Sequence, residues 1–206
     1  RPPPRTRPMT DPLHHDHHHT HEDQAYTADY RTWVKSQRLS KDSYLKRSPR
    51  SPLPEDERAA FGGLHYYPVD PGLRFEYLAL GPLPDGLEEE VHVQTSDGRV
   101  RHGRRAGTFD FTIDGVGYQL VALQLVDATG DELFVPFRDA TNADETYGAG
   151  RYLDLAPQDD GTYDLDFNLA YSPFWAYSPR YSCPLPPPEN WLSARITAGE
   201  RSHETA

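Results

Sequence analysis

The sequence predicts a mainly β protein, an antiparallel barrel or sandwich, fitted with an N-terminal helical clasp. Three observations predict it. Turn signals built on Gly, Asp and Pro recur roughly every 8–12 residues beyond Leu64, the spacing of short antiparallel strands. The segments between them alternate in polarity, as Phe109, Phe111 and Ile113 do against Asp110 and Thr112. Twenty prolines and 15 glycines in 206 residues argue for many short elements over a helical bundle. The hydrophobic share of 36% is low because the first fifty residues hold little apolar material; the remainder supplies enough Val, Leu, Phe and Tyr for one core. One domain is expected over residues 25–200, with a disordered His-rich tail over 1–24 and a frayed tail over 201–206.

In chain order, residues 1–24 are rich in Pro, His and acids and show no apolar periodicity. Met9, the sole methionine, is the expected start, which makes the first eight residues vector-derived or an upstream extension. A helix is predicted over 26–47, where Tyr26, Tyr30, Trp33, Val34, Tyr44 and Leu45 form a broken apolar stripe; Lys35, Arg38, Lys41 and Asp42 are assigned to its polar side. Pro54 followed by three acids starts a short second helix, ended by Gly62 and Gly63. Residues 74–80 read as a strand. Residues 91–94 and 100–104 flank Ser96-Asp97-Gly98, a hairpin signal. A half-buried strand follows over 109–113. Residues 118–126 are apolar on both parities, so a strand covered on both faces is expected. Further strands are expected over Leu133–Phe137, Arg151–Leu155, 163–167 and 192–196.

Several function classes are excluded or disfavoured. A formal net charge of −11 does not suit a general nucleic-acid binder; the basic run at 46–50 reads as a solvated linker. Cys183 is the single cysteine, so neither an intramolecular disulfide nor a multi-Cys zinc site can form. No stretch approaches the roughly 20 apolar residues of a membrane span, and no secretory signal is visible, so a soluble cytoplasmic protein is expected. His14, His15, His17, His18, His19 and His21 will chelate zinc or nickel by density alone. A built site needs a fold to fix its geometry, so the run reads first as a metal-sticky tail.

Function is sought between Leu133 and Asn190. Arg138, Asp139, Glu145, Tyr147, Arg151, Asp166, Asn168, Glu189 and Asn190 stand there singly among aromatics and prolines. Polar groups so placed must be partnered internally or serve a ligand, because stranding one costs roughly 1–3 kcal/mol. Asp139, Glu145, Asp166 and Glu189 are the candidates for carboxylate acid–base chemistry if a barrel brings them to one end. Arg138, Tyr147, Arg151, Asn168 and Asn190 are candidates for ligand contacts. No nucleophile–His–acid arrangement is supported: there is no GxSxG, and His65, His92 and His102 sit in no recognised motif. The glycines of Tyr147-Gly-Ala-Gly-Arg151 serve a turn or a close backbone approach rather than a phosphate. Cys183 reads as a small buried hydrophobe, and the CPLPPP run at 183–188 as a stiff strap.

LFVPFRDATNADETYGAGRYLDL, then DLDFNLAYSPFWAYSPRYSCPLPPPENWL and a final AGE, closely resemble the domain of unknown function 1684 family of bacterial and archaeal proteins; FGGLHYYPVDP and TSDG fit it as well. The resemblance spans residues 26–200 and leaves out the His-rich tail. It places Asp139, Thr146, Tyr147, Gly150, Arg151, Tyr152, Asp166, Asn168, Tyr171, Cys183, Pro184, Glu189 and Asn190 in family motifs, and so adds Thr146, Tyr152 and Tyr171 to the ligand-binding candidates. It implies no particular reaction and no organic cofactor. Relatives tend to read NPYCAY where this chain has SPFWAY, so Ser172 stands for Asn and Trp175 for Cys. Two-thiol chemistry is therefore closed to this chain. The expected function is small-molecule binding in a polar–aromatic pocket, with carboxylate catalysis open. The alternatives are a non-catalytic structural or interaction module and metal handling by the tail.

Overall fold

The computed structural model describes residues 19–126 and 131–202, with side chains from Ala25 onward. His14, His15, His17 and His18 lie outside the described residues, as do the side chains of His19 and His21. The described residues form two α-helices, α1 (His19–Arg47) and α2 (Glu55–Ala60), then seven strands: β1 (Arg74–Leu78), β2 (Glu90–Gln94), β3 (Val100–Ile113), β4 (Val116–Leu125), β5 (Leu133–Phe137), β6 (Arg151–Leu155) and β7 (Tyr163–Asp166). Five strands pair antiparallel in the order β2-β3-β4-β5-β6, and β1 pairs antiparallel with β7 in a separate ribbon. The sheets do not close into a barrel; they stack in the manner of a sandwich.

The main core fills the space between them. Phe109, Phe111, Leu120, Ala122, Val135, Phe137 and Leu153 of the large sheet meet Leu165 and Phe167 of the ribbon side, and Ile196 and Ala198 complete it. The two apolar parities of β4 separate as expected: Leu120 and Ala122 enter this core, while Val121, Leu123 and Leu125 join Val91 and Val93 in a second cluster on the opposite face. The strand expected over 109–113 is the end of one 14-residue strand. It kinks at an irregularity between Arg105 and Gly107, where a Cβ at Gly107 would lie 2.4 Å from the Gly81 carbonyl.

Two segments differ from expectation. Residues 192–196 form no strand. Their backbone follows the chain after β5, with Leu192 N–H bonding Arg138 O at 2.8 Å and Ala140 N–H bonding Ala194 O at 2.8 Å, and the Ile196 carbonyl is taken by the Arg151 side chain. On α1, Arg38, Lys41 and Asp42 are on the docked side. Arg38 donates to the carbonyls of Tyr67 and Asn168, Lys41 pairs with buried Glu200, and Asp42 accepts from Leu64 N–H at 3.1 Å. These charged groups complete the broken stripe of buried Tyr30, Val34 and Leu45. Tyr44 is exposed, its hydroxyl bonding only to the Arg50 carbonyl nearby. The proline strap lies on the end of β2: Leu185 N–H donates to Gln94 O at 2.7 Å, and Thr95 bridges Pro184.

Candidate functional site

The polar residues of the 133–190 stretch fall into separate neighbourhoods. The first is a knot around Arg151, which is fully buried at the start of β6. Its guanidinium holds Asp139 at 3.3 Å and donates to the carbonyls of Ile196, Ala198 and Glu200. Asp139 in turn accepts from Thr141 Oγ1 at 2.9 Å and from Ile196 N–H at 2.6 Å. Thr141 meets the buried Thr146 hydroxyl, and Asn142 ties Thr146 to the Tyr147 carbonyl. Burial pulls on the Arg151 charge and Asp139 opposes it; the net displacement is downward. Gly150 has φ +110°, and a Cβ there would lie 2.6 Å from Phe137 O, so the expected close backbone approach is real at this glycine.

Glu145 and Glu189 have different partners. Glu145 accepts from the Tyr67 hydroxyl at 2.8 Å and pairs with Arg195; burial, then the Glu145 contact, pushes the Tyr67 phenol up to about 12. Glu189 meets Arg105 at 2.7 Å. Asn190 sits where β4 and β5 diverge, since those strands pair only at Leu123 and Phe134. Its amide bonds Val121 N–H and O and the Pro136 carbonyl at 2.8, 2.9 and 2.8 Å, replacing a missing stretch of strand. Arg138 lies over the Trp191 ring at 4.9 Å. The Tyr152 hydroxyl donates to Pro184 O.

The remaining neighbourhood opens onto a cleft of about 880 Å³ between the β1–β7 ribbon, β6 and the turn that follows β6. Asp166 and Tyr171 are the two sequence candidates that line it. The rest of its polar wall includes Arg74, Tyr77, Asp154, Gln158 and Asp164, none of them singled out as a site residue from sequence, over an apolar floor of Leu153, Leu155 and Leu169. A β-bulge shapes it. Phe75 pairs with Leu165 and Leu78 with Tyr163, so Glu76 and Tyr77 together oppose Asp164. Tyr77 adopts φ +57°, a left-handed conformation that costs an aromatic residue about 1 kcal/mol or more. Asp164 staples the bulge, accepting from Tyr77 N–H at 3.1 Å, from Arg74 at 2.8 Å and from Gln158 at 2.5 Å.

Behind this wall α1 contributes Tyr30, whose hydroxyl donates to Asp166 at 2.7 Å, while Asn168 clamps Asp166 and both backbone polar groups of Asp70. Burial raises the Asp166 carboxyl above the ordinary carboxylate range; bonds from Tyr30 and Asn168 and the nearby Arg74 charge only partly offset it. Asp154 is raised too, because protein crowds it, although its surface still meets water and the Tyr171 hydroxyl donates to it at 2.6 Å. Arg74 is stacked against Tyr30 at 4.7 Å. Its Nε has no hydrogen-bond partner among the described residues, a state it shares with Arg38, Arg151 and Arg201. The cleft therefore offers one guanidinium, an excess of carboxylates with two of them protonating unusually easily, and an aromatic edge.

The model of a family described as protein of unknown function (DUF1684) matches residues 59–201. The chain belongs to that family. A solution NMR structure of an uncharacterised protein from Haloarcula marismortui is similar at 40% identity, with a TM-score of 0.64 over 89% of this chain and 100% of that one. No curated protein matches significantly. The backbone N–H of Trp175 lies 3.4 Å from Cys183 Sγ. Burial raises the Cys183 thiol, in keeping with a packing role. Among the described residues no helix is long and apolar enough to cross a membrane.

Proposed function

We propose that the chain binds a small polar molecule, one presenting an amine or several hydroxyls, in the cleft beside the β1 bulge. The observation that carries this reading is the open cleft itself, walled by carboxylates and by the left-handed Tyr77 of a bulge, a backbone state that collects at functional sites. The lining supports a cationic or hydroxyl-rich ligand. Asp154, Asp164 and Asp166 supply acceptors, Tyr171 an edge, and Arg74 a fixed donor. Asp166 and Asp154, raised by burial and crowding, are the carboxyls suited to proton transfer, whereas Asp139, Glu145 and Glu189 are committed to Arg151, Arg195 and Arg105.

The test is a titration of the full chain with a polyamine, an amino sugar and a polyol, followed by amide NMR. Shifts clustered on β6, β7 and the bulge are expected. Leu169→Trp, at an exposed cleft-lining position, should remove them without loss of fold. If no probe moves these amides, or if Leu169→Trp leaves the shifts intact, the cleft is not a binding site. A second reading, a structural module without a ligand, is favoured by the engagement of those three acids. It predicts a cleft silent to every probe.

A further inference from the structure

Outside the cleft lining, the β2–β3 hairpin carries an arrangement that the proposed function does not use. β2 alternates exposed and buried, so Glu90, His92 and Gln94 share its outer face while Val91 and Val93 enter a core. The antiparallel register sets His102 of β3 directly opposite His92. The two imidazoles meet edge to face with centroids 4.7 Å apart, and His92 Nε2 lies 3.1 Å from Glu90 Oε1. One donor atom from each of Glu90, His92 and His102 falls within 4.8 Å of the others. Arg104, the residue opposite Glu90, is engaged by Gln124 and Glu89, so its charge is partly answered elsewhere.

We propose that Glu90, His92 and His102 form a three-ligand site for a divalent transition-metal ion such as Zn²⁺, Ni²⁺ or Cu²⁺. Metal–nitrogen and metal–oxygen bonds of about 2.0–2.2 Å place donors roughly 3–3.5 Å apart. The observed separations need only small side-chain rotations to reach that geometry, and all three side chains are exposed and free to make them. Paired strands fix the backbone beneath the ligands, as a built metal site requires. Two imidazoles and a carboxylate select borderline transition metals over Mg²⁺ or Ca²⁺, which favour all-oxygen sites. Three protein ligands leave at least one coordination position for water or a donor from another molecule.

The N-terminal histidines are expected metal ligands as well, so the experiment must resolve position. The full chain is labelled with ¹⁵N and titrated with substoichiometric Cu²⁺, and the paramagnetic loss of amide signal is mapped. Loss at residues 90–93 and 101–103, beside the loss at the N-terminus, is the expected result. His92→Gln and His102→Gln, both at exposed positions, should each weaken the hairpin response about 10-fold or more while sparing the N-terminal one, and Glu90→Gln should weaken it less. Mg²⁺ at the same concentration should shift none of these amides. Signal loss confined to the N-terminus, or a hairpin response unchanged in either His variant, overturns the site. An unchanged response in Glu90→Gln overturns the three-ligand assignment.

Discussion

The Arg151 knot and the bulge cleft are built from the same materials, an arginine, buried acids, aromatic rings and a strained or glycine-bearing turn, yet they end in opposite states. In the knot, the Asp139 carboxylate meets a guanidinium and a backbone N–H, and the close approach that would strain any other residue is given to Gly150. In the cleft, the strained position is filled by Tyr77, Asp166 leans on a phenol and an amide, and an open volume faces them. The loop of the knot keeps a left-handed residue too, Ala143 at φ +68°, but a small one, where the cleft keeps a bulky aromatic. Strain kept at a concave surface points to a second demand on those residues.

The comparison can be broken by substitution. Asp139→Asn should be the most damaging change, costing about 3–5 kcal/mol in denaturant unfolding, because it leaves the Arg151 charge buried without its partner. A loss below about 1 kcal/mol would show that the knot is not a strut. Asn190→Ala strands three buried backbone groups between β4 and β5 and should cost about 2–4 kcal/mol, read the same way.

Asp166→Asn sharpens the contrast. It keeps an acceptor for Tyr30 and should cost only about 1–2 kcal/mol. Its pH dependence has a definite sign. With the folded carboxyl raised above the unfolded value near about 3.9, the native state binds the extra proton. The stabilisation from that proton is complete below the unfolded value and is lost as pH rises through the folded one. Wild type should therefore weaken relative to Asp166→Asn between about pH 4 and neutrality, and stability curves that run parallel over that range would contradict the raised carboxyl. Smaller still, Glu189→Gln at a partly exposed pair with Arg105 should shift stability by no more than about 1 kcal/mol. Tyr77→Asn, suited to a left-handed position, should be neutral or stabilising by up to about 1 kcal/mol while weakening any ligand in the cleft. A clear loss of stability there would remove the argument from strain.

Much of the fold was legible in the sequence because it rests on local signals. The Ser96-Asp97-Gly98 turn, the two-faced β4 and the helix carrying Tyr30 and Val34 all announce themselves within a few residues. The site was only half legible. Asp166 and Tyr171 stand out as polar groups among aromatics, but Arg74, Tyr77 and Asp164 gain their roles from a register slip between strands far apart in the chain. Nothing in Tyr77 itself signals a left-handed backbone. Glu200, which binds Lys41, Ser172 N–H and Tyr177, was visible only as the end of the AGE motif. Charged residues on α1 were assigned to the solvent side because isolated charges prefer water, and the carbonyls and carboxylate that receive them lie elsewhere in the sequence. Residues 192–196 have strand-like alternation, but the backbone of Ile196 is held at both ends by side chains, its N–H by Asp139 and its carbonyl by Arg151, so no ladder continues there.

The contact between Lys41 and Glu200, 159 positions apart, fixes when this molecule can finish folding. Helix α1 leaves the ribosome early but lacks one of its main anchors until residue 200 has been made. Arg151 likewise waits for the carbonyls of residues 196–200 before its charge can be enclosed. The nascent chain can close its β2–β3–β4 meander early, whereas helix and knot must lock together late, in one step. For that interval α1 rests on the early contacts of Tyr30 and Val34 with Val69 and of Leu45 with Leu53 and Phe61, while its charged groups wait for partners made later.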